Sequence, residues 1–340
     1  MPTIKDVAKE AGVSIATVSY VLNNKDHSIP PNTRQQVLAA VERVGYTPNV
    51  NGRNLKASQS RLIGYAWHAT PPDEVNPVLD RFTYYLAQAA EALGYHMLTF
   101  TYPPDDPLPV YNDLIRTRRV DGFVVASTVT DDPRIRFLIE RGFPFISFGR
   151  ANPAWDFHWV DTDGRQGMRE AVEHLVGLGH ERIAMIGWPE ESISGSFRVE
   201  GYTEALAAAG ITPRSDYLLR GENSEQSGRA AIAHWQRLPQ AERPTAVVAV
   251  SDLVAIGVMH GAEEHGLTVG RDLSVVGFDD MYMSQHLRPA LTTVRQPISQ
   301  ISQELIHTLE QILNKGEPPE RCQRLFTPSL IIRQSAAPPR

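Results

Sequence analysis

SIATVSYVLNN, Ser14 to Asn24, decides how this chain is read. Ser14 is a helix-capping residue type. Behind it, Val18, Val21 and Leu22 recur at the spacing that places them on one side of an α-helix turning by about 100° per residue. Ala16, Tyr20 and Asn23 then fall on the opposite side. Ile15 lies near the apolar side but in the first turn, where it can either join a core or reach outward.

The flanking residues supply partners for that helix. Thr3 and Asp6 form a capping-box-like start. Ile4, Val7, Ala8 and Ala11 follow the i, i+3, i+4, i+7 pattern, and Gly12 ends the segment where glycine is preferred. A third helix is expected from Pro31 to Val44, with Val37, Leu38, Val41 and Val44 inward and Gly45 after it. Two short helices joined by a glycine-containing turn, closed by a third, are the parts of a helix-turn-helix.

At 340 residues the chain is too long for one small core, and two or three domains are expected. With 42% hydrophobic and 21% charged residues it reads as a soluble globular protein. No apolar run reaches the roughly 18 residues of a membrane span. The start, MPTIKDVAKEAGVS, lacks the apolar core of a secretory signal. Cys322 is the single cysteine, which leaves no disulfide frame or cysteine-based metal site and fits a reducing, cytoplasmic setting. The net charge of −6 is unevenly divided. Residues 1–60 carry seven Lys/Arg against four Asp/Glu, a net of +3, whereas the other 280 carry 26 against 35, a net of −9. A small basic head on an acidic body suggests a nucleic-acid module joined to something else.

VAKEAGVSIATVSYVLNN, followed by Thr33-Arg34, Val37, Gly45-Tyr46 and Pro48-Asn49, closely resembles the N-terminus of LacI/GalR-type transcription repressors. The resemblance implies that Ser14–Asn24 is a recognition helix entering the major groove. Ser14, Thr17 and Ser19 offer hydroxyls suited to phosphates, and Ile15 and Ala16 offer apolar contact to thymine methyls. Thr3, Tyr20, Asn23, His27, Thr33 and Tyr46 complete the headpiece set. Family members commonly carry Arg where this chain has Tyr20, so its half-site is expected to differ at that base pair. Residues 46–60 correspond to the family's hinge, a short helix formed on DNA, with Asn49 and Gly52 in contact and Leu55 wedged into the minor groove. Gly52 stands where Ala or Ser is more frequent and disfavours helix by about 1 kcal/mol. A flexible linker is compatible with the same residues.

From Arg61 onward, short apolar runs alternate with helical patterns. RLIGYAW, HMLTF, DGFVVAS, FPFISFG, RIAMIGW, TAVVAVS and LSVVGFD are the expected strands. Such alternation implies parallel sheets with helices on both faces. HLVGLGHERIAMIG, SFRVEGYTEALAAAGI, SVVGFDD and PALTTVRQP carry a further resemblance, to the family's periplasmic-binding-protein-like body. The expected fold is thus an N-terminal all-α helix-turn-helix headpiece (1–45), a hinge (46–60), an α/β body of two parallel-sheet subdomains (61–333) and a tail (334–340). The chain is expected to cross between subdomains near Asp161–Asp163, Pro289–Thr293 and Leu325. These crossings make subdomain 1 about 61–162 plus 292–324, and subdomain 2 about 163–291 plus 325–333.

Ligands in such sheets sit beyond the carboxyl ends of the strands. By resemblance Arg198 and Asp279 are the foremost effector contacts, with His68, Arg150, Trp188, Asn223 and Asp252 beside them. Each has a plainer alternative: Arg198 as a surface helix residue, Asp279 as a cap, Trp67 and Trp188 as core. Arg150 suits a carboxylate, a phosphate or sugar hydroxyls equally. Asn223 replaces an aromatic, and Ser251 an Asn, found in some relatives. A sugar enzyme is the rival class. Asp161, Asp163, His174 and His180 are residue types that bind metals, but no His-x-x-x-His pair, phosphate loop or serine elbow occurs, and His180 reads as the end cap of the HLVGLGH helix. A secreted sugar-binding protein would share the body, yet would carry a signal sequence and lack residues 1–60.

The expected protein is a homodimeric repressor of carbohydrate-utilisation genes with no cofactor. It binds a pseudo-palindromic operator under control of a small effector, most readily a sugar, held between the subdomains. A co-repressor acting in non-sugar metabolism is the alternative. No leucine heptad tail of the kind that makes tetramers follows residue 333.

Overall fold

The structure, a computed structural model, describes residues 2–23, 29–46, 59–67, 76–103, 105–315 and 320–340. Two compact units divide it, Met1–Ser60 and Arg61–Arg340.

The first unit consists of α1 (Ile4–Ala11), α2 (Ile15–Asn23) and α3 (Pro31–Val44). The Thr3 N–H donates to Asp6 Oδ2 at 2.8 Å, and Gly12 leaves α1 with φ 65°. Ser14 Oγ accepts the Thr17 N–H at 3.0 Å, so the cap of α2 is made by the residue type that announces it. Val7, Ala8, Val18, Val21, Val37 and Ala40 form the core. Leu38, expected inward, is 48% exposed. The inward stripe of α3 runs through Val37, Ala40, Val41 and Val44, and Leu38 is rotated about 100° from it.

The second unit carries two sheets. The first contains β1 (Leu62–Ala66), β2 (His96–Phe100), β3 (Gly122–Val125), β4 (Phe145–Phe148), β5 (Trp159–Thr162) and β11 (Gln323–Phe326), in the order β2-β1-β3-β4-β5-β11, all parallel. The second contains β6 (Ile183–Gly187), β7 (Leu218–Arg220), β8 (Ala246–Ala249), β9 (Ser274–Phe278), β10 (Thr292–Arg295) and β12 (Ser329–Ile331). Its order is β7-β6-β8-β9-β10-β12, and only the edge strand β12 runs antiparallel. Both orders place the first strand inside the second, the doubly wound pattern that gathers strand carboxyl ends at one edge.

Helices cover both faces of each sheet. On the first sheet, α4 (Pro77–Ala92) and α11 (Ile298–Lys315) bury Phe82, Leu86, Ile301 and Leu305, while α5 (Leu108–Arg116) and α6 (Pro133–Arg141) cover the reverse face. On the second sheet, α7 (Gly164–Gly177) and α8 (Ile193–Ala208) cover one face. The other face takes α9 (Glu225–Trp235) and α10 (Asp252–Glu264).

The chain passes between the sheets after β5, after β10 and after β11. The second passage falls at Gln296–Pro297, beyond the expected Pro289–Thr293, because β10 remains paired with β9 through Val294. The third falls between Phe326 and Ser329, just after the expected Leu325, which is still paired in β11. Residues 334–337, expected as tail, pack on the second subdomain. The Ser335 N–H donates to Ala290 O at 3.0 Å and its Oγ to Val275 O at 2.6 Å. His180, expected as a helix end cap, is a buried hub for this segment. Its Nδ1 lies 2.9 Å from Thr245 Oγ1, and its Nε2 lies 3.0 Å from Ser274 Oγ and 2.9 Å from Ala337 O. Burial holds the imidazole below its ordinary pKa.

Helices α9 and α10 meet through glycines. A Cβ on Gly257 would stand 2.1 Å from Glu225 O, and one on Gly228 2.3 Å from Val254 O. Gly257→Ala is therefore expected to cost about 2–3 kcal/mol, because backbone rather than a side-chain tip must yield. Gly177→Ala meets nothing within 4 Å and should be neutral or stabilising by about 0.5 kcal/mol. Urea unfolding of the two variants tests this; matching midpoints would contradict the packing account.

Candidate functional site

A cleft of about 440 Å³ opens where the carboxyl ends of the two sheets face each other. The first subdomain contributes Asn76 and Leu79 at the start of α4, Ser127–Val129 after β3, Phe148–Arg150 at the end of β4, and Asp161 and Thr162 at the end of β5. The second contributes Trp188, Glu191, Ser192, Phe197, Arg198, Glu222, Asn223 and Asp279, with Gln296 at the crossing. A groove of about 720 Å³ between α4 and α11, lined by Tyr85, Gln88, Gln300 and His307, is roomier. It lies away from the strand ends and draws on no buried charge, so the cleft is the better candidate.

Arg198 is the centre of the cleft floor. It is buried, and its guanidinium carbon lies 3.7 Å from the centroid of Phe278 and 4.8 Å from that of Trp188. Nη1 donates to Val250 O. Burial lowers its pKa, while the carboxylates of Asp279, Asp161 and Asp252 pull it back toward the charged form. Gly164 leaves room for its stem, since a Cβ there would stand 3.2 Å from Arg198 Cγ. Arg198 Nε and Trp188 Nε1 are buried N–H donors with no acceptor among the described residues. Both belong to residues that line the cleft, and buried donors left without acceptors are exceptional.

Asp279 follows β9 with φ 127°, and Gln296 Nε2 donates to its Oδ1 at 2.6 Å. Burial pushes its carboxyl up to about 7; the Arg198 charge opposes this and Asp252 adds to it. Gln296 Oε1 also accepts from Thr162 Oγ1 at 2.7 Å, so one side chain at the crossing ties Asp279 to β5. Arg150, left open above among three ligand chemistries, is already paired: its Nε is 3.0 Å from Asp161 Oδ2. Its guanidinium also lies 3.5 Å from the Phe197 ring centroid, which reaches across from α8.

The wall at Ser127–Thr128 is held from behind. Buried Arg134 pairs with Asp132 at 2.6 Å and donates Nη2 to Ala126 O at 3.2 Å and Ser127 O at 3.0 Å. Asn223 lines the cleft and accepts the Ser251 hydroxyl at 2.6 Å. Asp252 departs from expectation. It is fully buried outside the cleft lining and accepts from the Met281 N–H at 2.8 Å and from the hydroxyls of Ser284 and Thr293. With both oxygens so engaged its carboxyl is committed to holding the fold, and it does not line the cleft. Trp67 is 39% exposed and stands outside the lining, so neither platform nor core describes it.

In the first unit, Ile15 and Tyr20 are 45% and 49% exposed, with Ala16 beside them on the outer face of α2. Ile15 therefore resolves outward, because Val18 and Val21 already fill the core contact. Thr3 and Ser14 are exposed, while Thr17, Ser19, Thr33 and Tyr46 are half-buried. His27, Asn49, Gly52, Leu55 and His68 lie outside the described residues, as does the side chain of Asn23. Phe148, Phe197, Thr162 and Gln296 were not singled out by the sequence reading; their places at strand ends and helix starts were the available signal.

Residues 3–49 match the model described as "Bacterial regulatory proteins, lacI family", and residues 172–336 match a "Periplasmic binding protein-like domain". The HTH-type transcriptional repressor CytR of Escherichia coli (strain K12) is 34% identical over 98% of this chain and 96% of its own length. Among solved structures, the lac repressor dimer bound to operator and the anti-inducer ONPF superposes with a TM-score of 0.84, at 28% identity over 99% of both chains. The transcriptional regulator CelR–cellobiose complex gives 0.75, at 29% identity over 98% of this chain and 100% of that one.

Asp252→Ala is expected to lower unfolding stability by about 3 kcal/mol, since it leaves three donors without their acceptor. Chemical denaturation reads the loss. A change below about 1 kcal/mol would remove Asp252 from the structural role given it here.

Proposed function

Because the chain belongs to the lacI family of bacterial regulatory proteins, we propose that this transcriptional repressor acts as a homodimer on a two-fold operator and is controlled by a neutral sugar in the cleft. Its genes are those of carbohydrate use. One observation carries the choice of ligand: the charge balance of the cleft. The lining has two cations, Arg150 and Arg198, against four acids, Asp161, Asp279, Glu191 and Glu222. Arg150 is paired with Asp161, and Arg198 lies in the field of Asp279, Asp161 and Asp252 without direct ion-pair contact, so the excess of lining acids disfavours an anionic effector. Phe148, Trp188 and Phe197 line the cleft and offer apolar surface for the carbon side of a sugar ring. Cellobiose in the CelR complex is a ligand of the same class.

On DNA, the outer face of α2 is assigned to base edges, with Ile15, Ala16 and Tyr20 foremost. Ser14 and Thr17, joined by a 2.8 Å hydroxyl contact, stand where phosphates approach a helix N-terminus. A dimer places one headpiece on each half-site. The sugar changes operator affinity by binding one subdomain arrangement more tightly than the other, and operator must change sugar affinity by the same factor.

Fluorescence anisotropy on DNA upstream of the gene should give binding that is sequence-specific and weakens steeply with salt. Tyr20→Arg should move the preferred base pair toward guanine at one half-site position, since Arg binds its O6 and N7 together. An unchanged preference in competition with operator variants would take Tyr20 off the bases.

A thermal-shift screen of mono- and disaccharides, cellobiose and ribose included, should find a stabiliser that Arg198→Ala no longer feels. Asp279 adds a pH signature. Its carboxyl titrates near 7, and a hydroxyl donating to it favours the ionised form. Binding then expels a proton, and affinity rises by about tenfold between about pH 6 and pH 8. Asp279→Asn should flatten this profile in calorimetry; the same slope in the variant would assign the proton elsewhere. Without ligand the sign is opposite for folding. The raised pKa stabilises the fold at low pH, and that contribution is lost as pH climbs from the ordinary 3.8 through about 7.

A further inference from the structure

Arg81 sits at the start of α4, a helix packed on the first sheet, yet both its terminal nitrogens donate to the second subdomain. Nη2 reaches Asp279 O at 3.0 Å, and Nη1 reaches Asp280 O at 3.1 Å. The two carbonyls belong to consecutive residues with φ of 127° and 50°. Both values lie in the half of conformational space that non-glycine residues avoid, so this turn persists only where its surroundings impose it.

Gln296 ties the Asp279 side chain to β5 through Thr162, whereas the restraints on the Asp280 and Met281 part of the turn come from its own subdomain. The Asp280 carboxylate takes Arg295 Nε and Arg333 Nη2, each at 2.6 Å. The Asp280 N–H donates to Thr293 Oγ1 at 3.2 Å, and the Met281 N–H to Asp252 Oδ2 at 2.8 Å. Each of these bonds moves with the second subdomain as a body. Arg81 does not. A planar guanidinium that holds two successive carbonyls fixes direction as well as distance, which a single amine cannot do.

We propose that Arg81 is a positioning residue that couples the angle between the subdomains to the conformation of the Asp279–Asp280 turn. When the subdomains rotate, α4 carries the guanidinium with it, and the turn must follow or lose both bonds. Asp279 lines the cleft from this same turn, so a ligand that fixes its carboxyl biases the angle, and the angle biases the carboxyl. This consequence rests on reading the cleft as the effector site; the coupling of angle to turn does not.

The test uses the full chain without ligand. Arg81→Met keeps the stem and loses both donors, and Arg81→Lys keeps the charge but loses the fork. Hydrogen exchange at the Asp280 and Met281 amides should quicken by about tenfold in Arg81→Met and by less in Arg81→Lys, with exchange within α4 unchanged. In a Cys322→Ser background, spin labels at the exposed Arg116 and Arg237, diluted with unlabelled chain, report the distance between subdomains. Their distribution should broaden in Arg81→Met and narrow again in Arg81→Lys. Unchanged exchange at the turn overturns the proposal. So does faster exchange with an unchanged distance distribution, which would make Arg81 a local prop. If both respond while Asp279→Asn binds the screened sugar normally, the coupling stands and the reading of Asp279 as an effector contact falls.

Discussion

A buried guanidinium is the constraint around which the body is arranged. Arg198 is buried at the meeting of the two sheets, and a charge in that position must be compensated by fixed groups. Val250 O takes one of its N–H groups, Phe278 and Trp188 present ring faces, and the charges of three aspartates act on it without direct ion-pair contact. Those aspartates come from the ends of β5 and β9 and the start of α10, so the compensation requires both subdomains. The same neighbours leave the buried Nε without an acceptor among the described residues. Compensated charge combined with an orphan donor gives a site that holds its shape yet still has something to offer a ligand.

Around that charge, side chains at the subdomain boundary act in pairs. Thr162, Gln296 and Asp279 form a chain of hydrogen bonds through the second crossing. Arg150 is held by Asp161 in its own subdomain and lies on Phe197 of the other. Arg81 of the first subdomain likewise reaches across, to the carbonyls of Asp279 and Asp280. A relative movement of the subdomains therefore changes polar contacts with definite geometry, which have discrete alternatives, more than it deforms packed cores, which do not. Regulation by a small molecule needs such elements, because a ligand can shift an equilibrium only by its difference in affinity for two states.

The first unit works under a simpler rule. Among the described residues its buried core is six small side chains, among them Val7, Val18 and Val37, and α2 is short enough that its inward face is used up by Val18 and Val21. Ile15 and Tyr20 are left outside. Exposed apolar and aromatic side chains on a capped helix start are costly in isolation but suited to a groove lined with methyls, base edges and phosphates.

The headpiece was legible in the sequence because its signals are local. Ser14 caps the helix it precedes, Gly12 ends the helix before it, and both act within one turn of chain. The alternation of strands and helices, and hence the doubly wound sheets, was legible for the same reason. So were Arg198 and Asp279 as cleft residues, through the motifs that carry them. The tertiary structure alone decided partners. It made Asp252 a structural acceptor, gave Arg150 to Asp161, turned Leu38 outward, moved the second crossing to Gln296 and folded Ser335 onto Val275. It also joined Arg81 to a turn almost two hundred residues away. Capping and periodicity concern neighbours along the chain, whereas a buried charge or an unsatisfied carbonyl is resolved by whatever group the completed fold brings within about 3 Å.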